Sequence, residues 1–247
     1  TIGGINWTVT IANILAFVLV YLCVQKGIKT SGKVVYVTAT SPYIFLIILL
    51  IRGLFLDGSV DGIAYLFKVD WSKVFELKIW YLAANQVLFQ CVGTGTIIIF
   101  ASHKKKHESI QTPAYIIPIA TALTGILCSL TVFAYMGNMA EVTNTSIQDL
   151  PLSGPDLVFV AYPAALTHLP LPNFWSILFF FMIMFLGIDS QFSYFETVSG
   201  HFEDDKIEVF GTKKITFVRI WLILGLFIVG IFLNTDAGFN FLPFYDQ

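Results

Sequence analysis

Six long stretches of the chain carry no Asp, Glu, Lys or Arg: residues 1–25, 34–51, 79–102, 109–140, 157–188 and 220–235. A helix rises 1.5 Å per residue, so about 20 mostly apolar residues cross the hydrocarbon core of a bilayer. Six such runs predict six membrane helices. The two longest, 109–140 and 157–188, exceed one crossing and must include interfacial segments. Stretches such as Ile44-Phe45-Leu46-Ile47-Ile48-Leu49-Leu50-Ile51 are apolar on every side. A transmembrane barrel would instead alternate apolar and polar residues with period two, so the pattern reads as all-α.

Composition agrees with the pattern. Of the 247 residues 56% are apolar, 16% aromatic and only 12% charged, and the mean hydropathy is +0.78. A soluble domain carries about 25% charged residues, and a disordered chain would be poor in aromatics and rich in charge. Nucleic-acid binding is disfavoured, because the net charge is −2 and the few basic residues are not interleaved with aromatics along one surface. A polytopic membrane protein remains, its first partner the lipid bilayer.

The position of the charges predicts an orientation. Lys26, Lys29, Lys33, Lys104, Lys105, Lys106, Lys206, Lys213, Lys214 and Arg219 are 10 of the 14 basic residues, and all fall on alternate loops. The positive-inside rule places those loops in the cytoplasm. The opposite loops hold Arg52, Lys68, Lys73 and Lys78 with acids such as Asp57, Asp149 and Asp156. Asn144-Thr145-Ser146 is a glycosylation acceptor in a loop expected outside. Asn6-Trp7-Thr8 also fits the pattern but sits against a membrane run. Cys23, Cys91 and Cys128 lie within apolar runs and read as small buried residues rather than a disulfide or metal set. The first residue is not Met and the chain stops as a new apolar segment begins, so the expectation is an internal fragment.

Three chemical features stand out. Asp189, with Ser190 beside it, follows 32 charge-free positions. A carboxylate in an apolar helix is costly unless it faces a cavity, an ion or a partner on a neighbouring helix, and both readings stay open on the residues alone. Gly93-Thr94-Gly95-Thr96 interrupts the run 79–102. Glycines there permit close helix packing or mark a broken helix whose freed backbone groups hold solute and ions; no Gly-Lys-Ser/Thr follows, so it is not a phosphate loop. His103 to His107 form a basic cluster that reads as a topology anchor. His201 with Glu203, Asp204 and Asp205 reads as a solvated charge run. Ser, His and Asp residues lie on different runs or loops, so a hydrolase triad has no support.

The stretch Val20-Tyr21-Leu22-Cys23-Val24-Gln25-Lys26-Gly27-Ile28-Lys29-Thr30-Ser31-Gly32-Lys33-Val34-Val35-Tyr36-Val37-Thr38-Ala39-Thr40 resembles a long signature of the neurotransmitter:sodium symporters. Gly154-Pro155 with Phe159-Val160-Ala161-Tyr162-Pro163 is similar to that family's fourth outer loop, and Leu186-Gly187-Ile188-Asp189-Ser190-Gln191-Phe192 to its eighth helix. The resemblance implies a LeuT-like inverted-repeat bundle in the plasma membrane, with the six runs as family helices 4 to 9. Residues 1–57 would then end the first repeat, 58–78 form an outer loop, and 79–247 belong to the second repeat. It also implies sodium-coupled symport of a small amino-acid-like or amine solute by alternating access. Family helices 6 and 7 would move, helices 4, 8 and 9 would form the scaffold, and helix 5 would act as a gating arm.

Residue by residue, the resemblance assigns sodium ligands to Leu186, Asp189 and Ser190. It assigns the solute pocket to Phe89, Gly93, Thr94, Ser190 and Gln191. Gln86 matches a chloride-site glutamine. Other positions depart from the family pattern. A family Ser becomes Gln90, a helix 7 Asn and Ser fall at Thr121 and Gly125, a cytoplasmic Arg-Asp becomes Thr112-Pro113, and an outer-loop Glu becomes Ala164. The second sodium site is thus kept, while the first sodium and chloride sites depart. A non-transporting membrane partner or sensor that keeps the fold is the alternative reading. The solute's identity and the oligomeric state are not legible in these residues.

Overall fold

The computed structural model describes residues 4, 6–24, 28–88, 95–102, 109–150, 154–204 and 215–235. Every regular element in them is helical. The first run becomes α1 (Trp7–Val24), and Asn6 starts it, its side-chain oxygen accepting from the Val9 N–H at 3.3 Å. The second becomes α2 (Ile28–Leu54), which carries Pro42 inside. Proline has no N–H to return to the carbonyl four residues back, here Thr38. The fourth becomes α6 (Gln111–Thr143), 33 residues long, and ends on Asn144 in the left-handed region at φ 51°.

Two runs are not single helices. Residues 79–102 divide into α4 (Leu77–Val87) and α5 (Thr96–Ser102). Gly95, just before α5, has φ +79°, a conformation that glycine adopts without strain and that an α-helix excludes. Residues 157–188 divide as well. A short helical segment at α7 (Gly154–Asp156) passes through a π turn, Leu157–Ala161, into α8 (Tyr162–Thr167), and α9 (Pro172–Asp204) follows. Leu171, at φ 61° between two prolines, makes the corner, and the Trp175 indole N–H closes it on the Pro170 carbonyl at 3.0 Å. The last run becomes α10 (Ile215–Leu233).

Among the described residues four helices are long and apolar enough to cross a membrane: α1, the Val35–Leu54 part of α2, α6, and the Pro172–Phe202 part of α9. The apolar stretch Phe217–Ile231 of α10 is shorter. Many large apolar side chains on these helices are exposed, among them Ile11, Leu15, Ile44, Ile119 and Ile177, as helices apolar all round require when lipid is their solvent.

The chain forms two compact units. The first comprises Thr1–Ala39, Thr94–His103 and Leu186–Gln247. Its core is Val20 and Val24 of α1 against Phe192 and Phe195 of α9, with Leu222 and Ile223 of α10 alongside. Phe17 meets Phe227 edge to face at 5.8 Å. Arg219 corrects the reading of that residue as a loop cation. It is 4% exposed, donating to the Val24 carbonyl at 2.6 Å and to Glu196 Oε2 at 3.1 Å. The α10 helix starts before Arg219, so the cation is carried into the helix packing and survives there because a carboxylate meets it.

The second unit comprises Thr40–Gly93 and Lys104–Phe185. Its core sets three rings in a row, Tyr135 tilted on Tyr162 at 4.9 Å and Tyr162 stacked on Phe179 at 4.3 Å, in one cluster with Leu49, Ala165 and Leu166. Buried aromatic pairs of this kind add about 0.5–1.5 kcal/mol beyond the area they bury. The Tyr135 hydroxyl donates to the Leu49 carbonyl at 3.1 Å, since a buried hydroxyl needs an acceptor.

Residues 58–78, expected as a loop, hold α3 (Ser59–Leu66) and a 3-10 turn, Trp71–Phe75. Helix α3 lies hard against α6. A methyl added to Gly62 would meet the Gly137 Cα at 2.9 Å, so only paired glycines allow the approach. The Asn138 amide ties the corner by donating to the Asp57 carbonyl at 2.9 Å.

The cysteines also differ from expectation. Cys23 is half-buried and Cys128 exposed, both as free thiols, and Cys91 lies outside the described residues. Cys128 is exposed because the buried part of α6 begins further along the helix, at Thr131, Ala134 and Tyr135.

Candidate functional site

Four of the expected site residues fall within two turns of α9: Leu186, Asp189, Ser190 and Gln191. Residues three and four apart share one helix face, so the Leu186 carbonyl, the Asp189 carboxylate and the Ser190 hydroxyl are neighbours. The Ser190 hydroxyl donates to the Leu186 carbonyl at 3.0 Å. Ser193 donates to the Asp189 carbonyl at 3.2 Å. Asp189 is half-buried, and its Oδ1 accepts from the Thr38 hydroxyl of α2 within the same unit. The carboxylate is therefore held by a neighbouring helix, one of the situations that make an intramembrane acid tolerable.

The donor set is all oxygen: one carboxylate, one hydroxyl, one backbone carbonyl. That chemistry suits a hard cation and not a thiol- or imidazole-loving metal. Among the described residues no group of three His, Cys, Asp or Glu gathers as a metal site.

Gln191 and Ser190 are exposed. Gln191 borders a cavity of about 500 Å³ between α1, α9 and α10, with Asn13 and Asn234 near one end and Phe17, Tyr194 and Phe195 along its walls. Asn13 donates to Asn234 Oδ1 at 3.5 Å. Polar side chains reaching one another between membrane helices are a usual form of interhelical adhesion.

Phe89, Gln90, Gly93 and Thr94 lie outside the described residues. Gln86, Thr121 and Gly125 belong to the second unit. Gln86 is exposed on α4. Thr121 is half-buried and turns its hydroxyl back to the Ile117 carbonyl at 2.9 Å. Gly125 faces open space. Asn144 is exposed at the end of α6, as are Thr145 and Ser146.

The sequence reading gave Thr38 no site role, and it missed the buried pair of Glu196 with Arg219 in the same unit. Glu196 had a signal, since it lies seven residues after Asp189 and so shares its face two turns on. Thr38 had none, because a threonine in an apolar run is ordinary and its partner is 151 positions away.

Helices of membrane-crossing length that expose large apolar side chains define a polytopic helical membrane protein, and one of its carboxylates, Asp189, is held between two of them. The sodium:neurotransmitter symporter family model matches residues 1–247, and the chain belongs to that family, one of transporters and not of enzymes. It is 37% identical over 247 residues to a creatine transporter of Torpedo marmorata, covering 99% of this chain and 40% of that protein. It is 37% identical over 246 residues to the sodium- and chloride-dependent glycine transporter 2 of Xenopus laevis, covering 99% and 31%. It is 41% identical over 191 residues to the sodium- and chloride-dependent creatine transporter 1 of Bos taurus, covering 77% and 30%. The chain thus spans 30–40% of the length of these relatives.

Proposed function

We propose that this chain is the central part of a plasma-membrane secondary transporter. It couples the sodium gradient to uptake of a small amino-acid-like or amine solute by alternating access. The observation that carries the reading is the oxygen-only face of α9, Leu186, Asp189 and Ser190, in a chain matched over its whole length by the family. These three residues are the proposed sodium ligands, with further ligands supplied by the rest of the protein. Bound sodium supplies positive charge at the carboxylate and so favours the conformation in which the site is closed around it; a ligand shifts a conformational equilibrium only by its differential affinity. The chain's own residues orient the oxygens. Phe89, Gly93, Thr94, Ser190 and Gln191 are the proposed solute-pocket residues. The relatives' solutes, creatine and glycine, support a small zwitterionic substrate.

Chloride is treated differently. Two of the relatives are named as chloride-dependent, whereas Gln90, Thr121 and Gly125 replace the family's ligand types at the chloride and first sodium positions. The reading is therefore sodium coupling with weakened chloride dependence. Uptake of creatine, glycine and related solutes by the full-length protein, with chloride replaced by gluconate, tests it. Retained uptake is expected; strong chloride dependence with ordinary two-sodium stoichiometry overturns it.

The same departures favour a second reading, a membrane partner or sensor that keeps the fold without transporting. Asp189→Ala separates the two. It abolishes sodium-dependent uptake in a transporter and changes only folding in a partner protein.

A further inference from the structure

Threonines inside helices usually send their hydroxyl proton to a carbonyl three or four residues back on the same helix. Thr121, Thr124, Thr131, Thr143 and Thr197 all do so here, at 2.7–2.9 Å. Thr38 reaches a second helix. It is 7% exposed, and its hydroxyl donates across to Oδ1 of Asp189 on α9. The bond ties the one carboxylate of the candidate cation site to a different helix. It lies within the first unit, where Ile188 of α9 and Val35 of α2 both pack against the cluster of Val20, Val24, Phe192 and Phe195.

We propose that Thr38 is a positioning residue for sodium binding, acting through Asp189; this rests on the reading of α9 as the sodium site. Three features of the geometry carry it. A carboxylate has two oxygens, and a donor on Oδ1 sets the rotation of the group, leaving Oδ2 free of that bond and available for a cation. The β-branched Thr38 side chain is stiff about χ1 and buried, so the donor is fixed rather than searching. A hydroxyl is neutral, so it orients the carboxylate without neutralising it, as a Lys or Arg at the same place would. This is the logic of outer-shell partners in ion sites generally, where loss of the partner costs about 10–100-fold in ion affinity.

The test is sodium-dependent thermal stabilisation of the purified full-length protein, titrated in sodium against choline. Ligand that binds only the folded state raises the melting temperature with concentration, so the half-saturating sodium concentration is read directly. Thr38→Val is expected to raise that concentration about tenfold, with the melting temperature in choline close to wild type. Thr38→Ser, which keeps the donor, is expected to restore sodium affinity. Asp189→Ala is expected to abolish the sodium response. If Thr38→Val lowers the choline melting temperature and leaves half-saturation unchanged, Thr38 is only a packing residue and the inference is overturned while the site reading stands. If Thr38→Ser binds sodium as weakly as Thr38→Val, the methyl and not the donor matters, and the inference is again overturned. If the wild-type protein shows no sodium response, the site reading itself falls and takes this inference with it.

Discussion

The buried ion pair of Arg219 and Glu196 shows what a charge requires inside an apolar helix bundle. Each is almost fully buried, 4% and 3% exposed. Taking either away leaves the other in a medium that cannot solvate it. Arg219→Met is therefore expected to destabilise the protein by about 3–5 kcal/mol. The double change Arg219→Met with Glu196→Leu should recover most of that loss, since replacing both charges by apolar groups is often neutral. A double-mutant cycle by thermal melting in detergent checks it, and equal losses in the single and double variants would refute it. At the exposed segment before α4 the charge logic is gentler. The Asp70 carboxyl is held below the ordinary carboxylate range by the Ser72 hydroxyl at 2.6 Å, then by the Ser72 N–H at 3.1 Å. Its folded pKa is depressed, so its stabilising effect is complete above the unfolded carboxyl pKa and is lost as pH falls through the folded value. Intrinsic-rate-corrected hydrogen exchange protection of the Ser72 amide should be flat above about pH 6 and decline in acid. Ser72→Ala should move that decline to higher pH.

The contact between α3 and α6 is an element-scale device. Gly62 and Gly137 let two backbones meet where any side chain would collide, and Tyr65 stacks on Phe133 at 6.1 Å beside them. Gly137→Ala is expected to cost about 1–3 kcal/mol through overpacking, visible as a lowered melting temperature. Gly125→Ala and Gly187→Ala face open space and should leave stability close to wild type. That contrast makes Gly125→Ala a usable probe of ion dependence, because any change in chloride response would not be a folding effect. The helix pattern itself was legible where charge-free runs met no special backbone. It was also legible at Gly93-Thr94-Gly95-Thr96, read as glycine packing or a broken helix, where Gly95 takes φ +79° just before α5. The corner at Leu171, φ 61°, was not legible, since leucine is compatible with lipid and hydropathy cannot place it. Residues 58–78, an outer loop on the family resemblance, hold α3, whose glycine register makes sense only with α6 beside it.

At the scale of the whole molecule the charge distribution assigns inside and outside. The loop after α6 is expected outside, and Asn144, Thr145 and Ser146 are all exposed there. The full-length protein made in eukaryotic cells should therefore shift in mobility on glycosidase treatment, and Asn144→Gln should remove the part of the shift due to this site. An unchanged glycan pattern in that variant would count against the acceptor. Burial of Arg219 takes one cation out of the set expected inside, and Lys29 and Lys33 fall in the first two turns of α2. In sequence the nine remaining lysines still cluster between alternate charge-free runs.

The sequence alone determined that the chain is helical and lipid-embedded, because twenty uncharged residues in a row admit few other solutions. It also singled out Asp189, because a carboxylate among 32 charge-free neighbours is too costly to be incidental. Tertiary structure decided everything that depends on which helices touch. It showed that Asp189 is held by Thr38, that Arg219 is a buried partner and not a loop anchor, and that α3 rests on α6 through two glycines. Those are pairings between residues 23 to 151 positions apart or between backbones with no side chain between them. A one-dimensional pattern records the polarity of each position, whereas the free energy of a buried polar group is set by its neighbour across the helix interface.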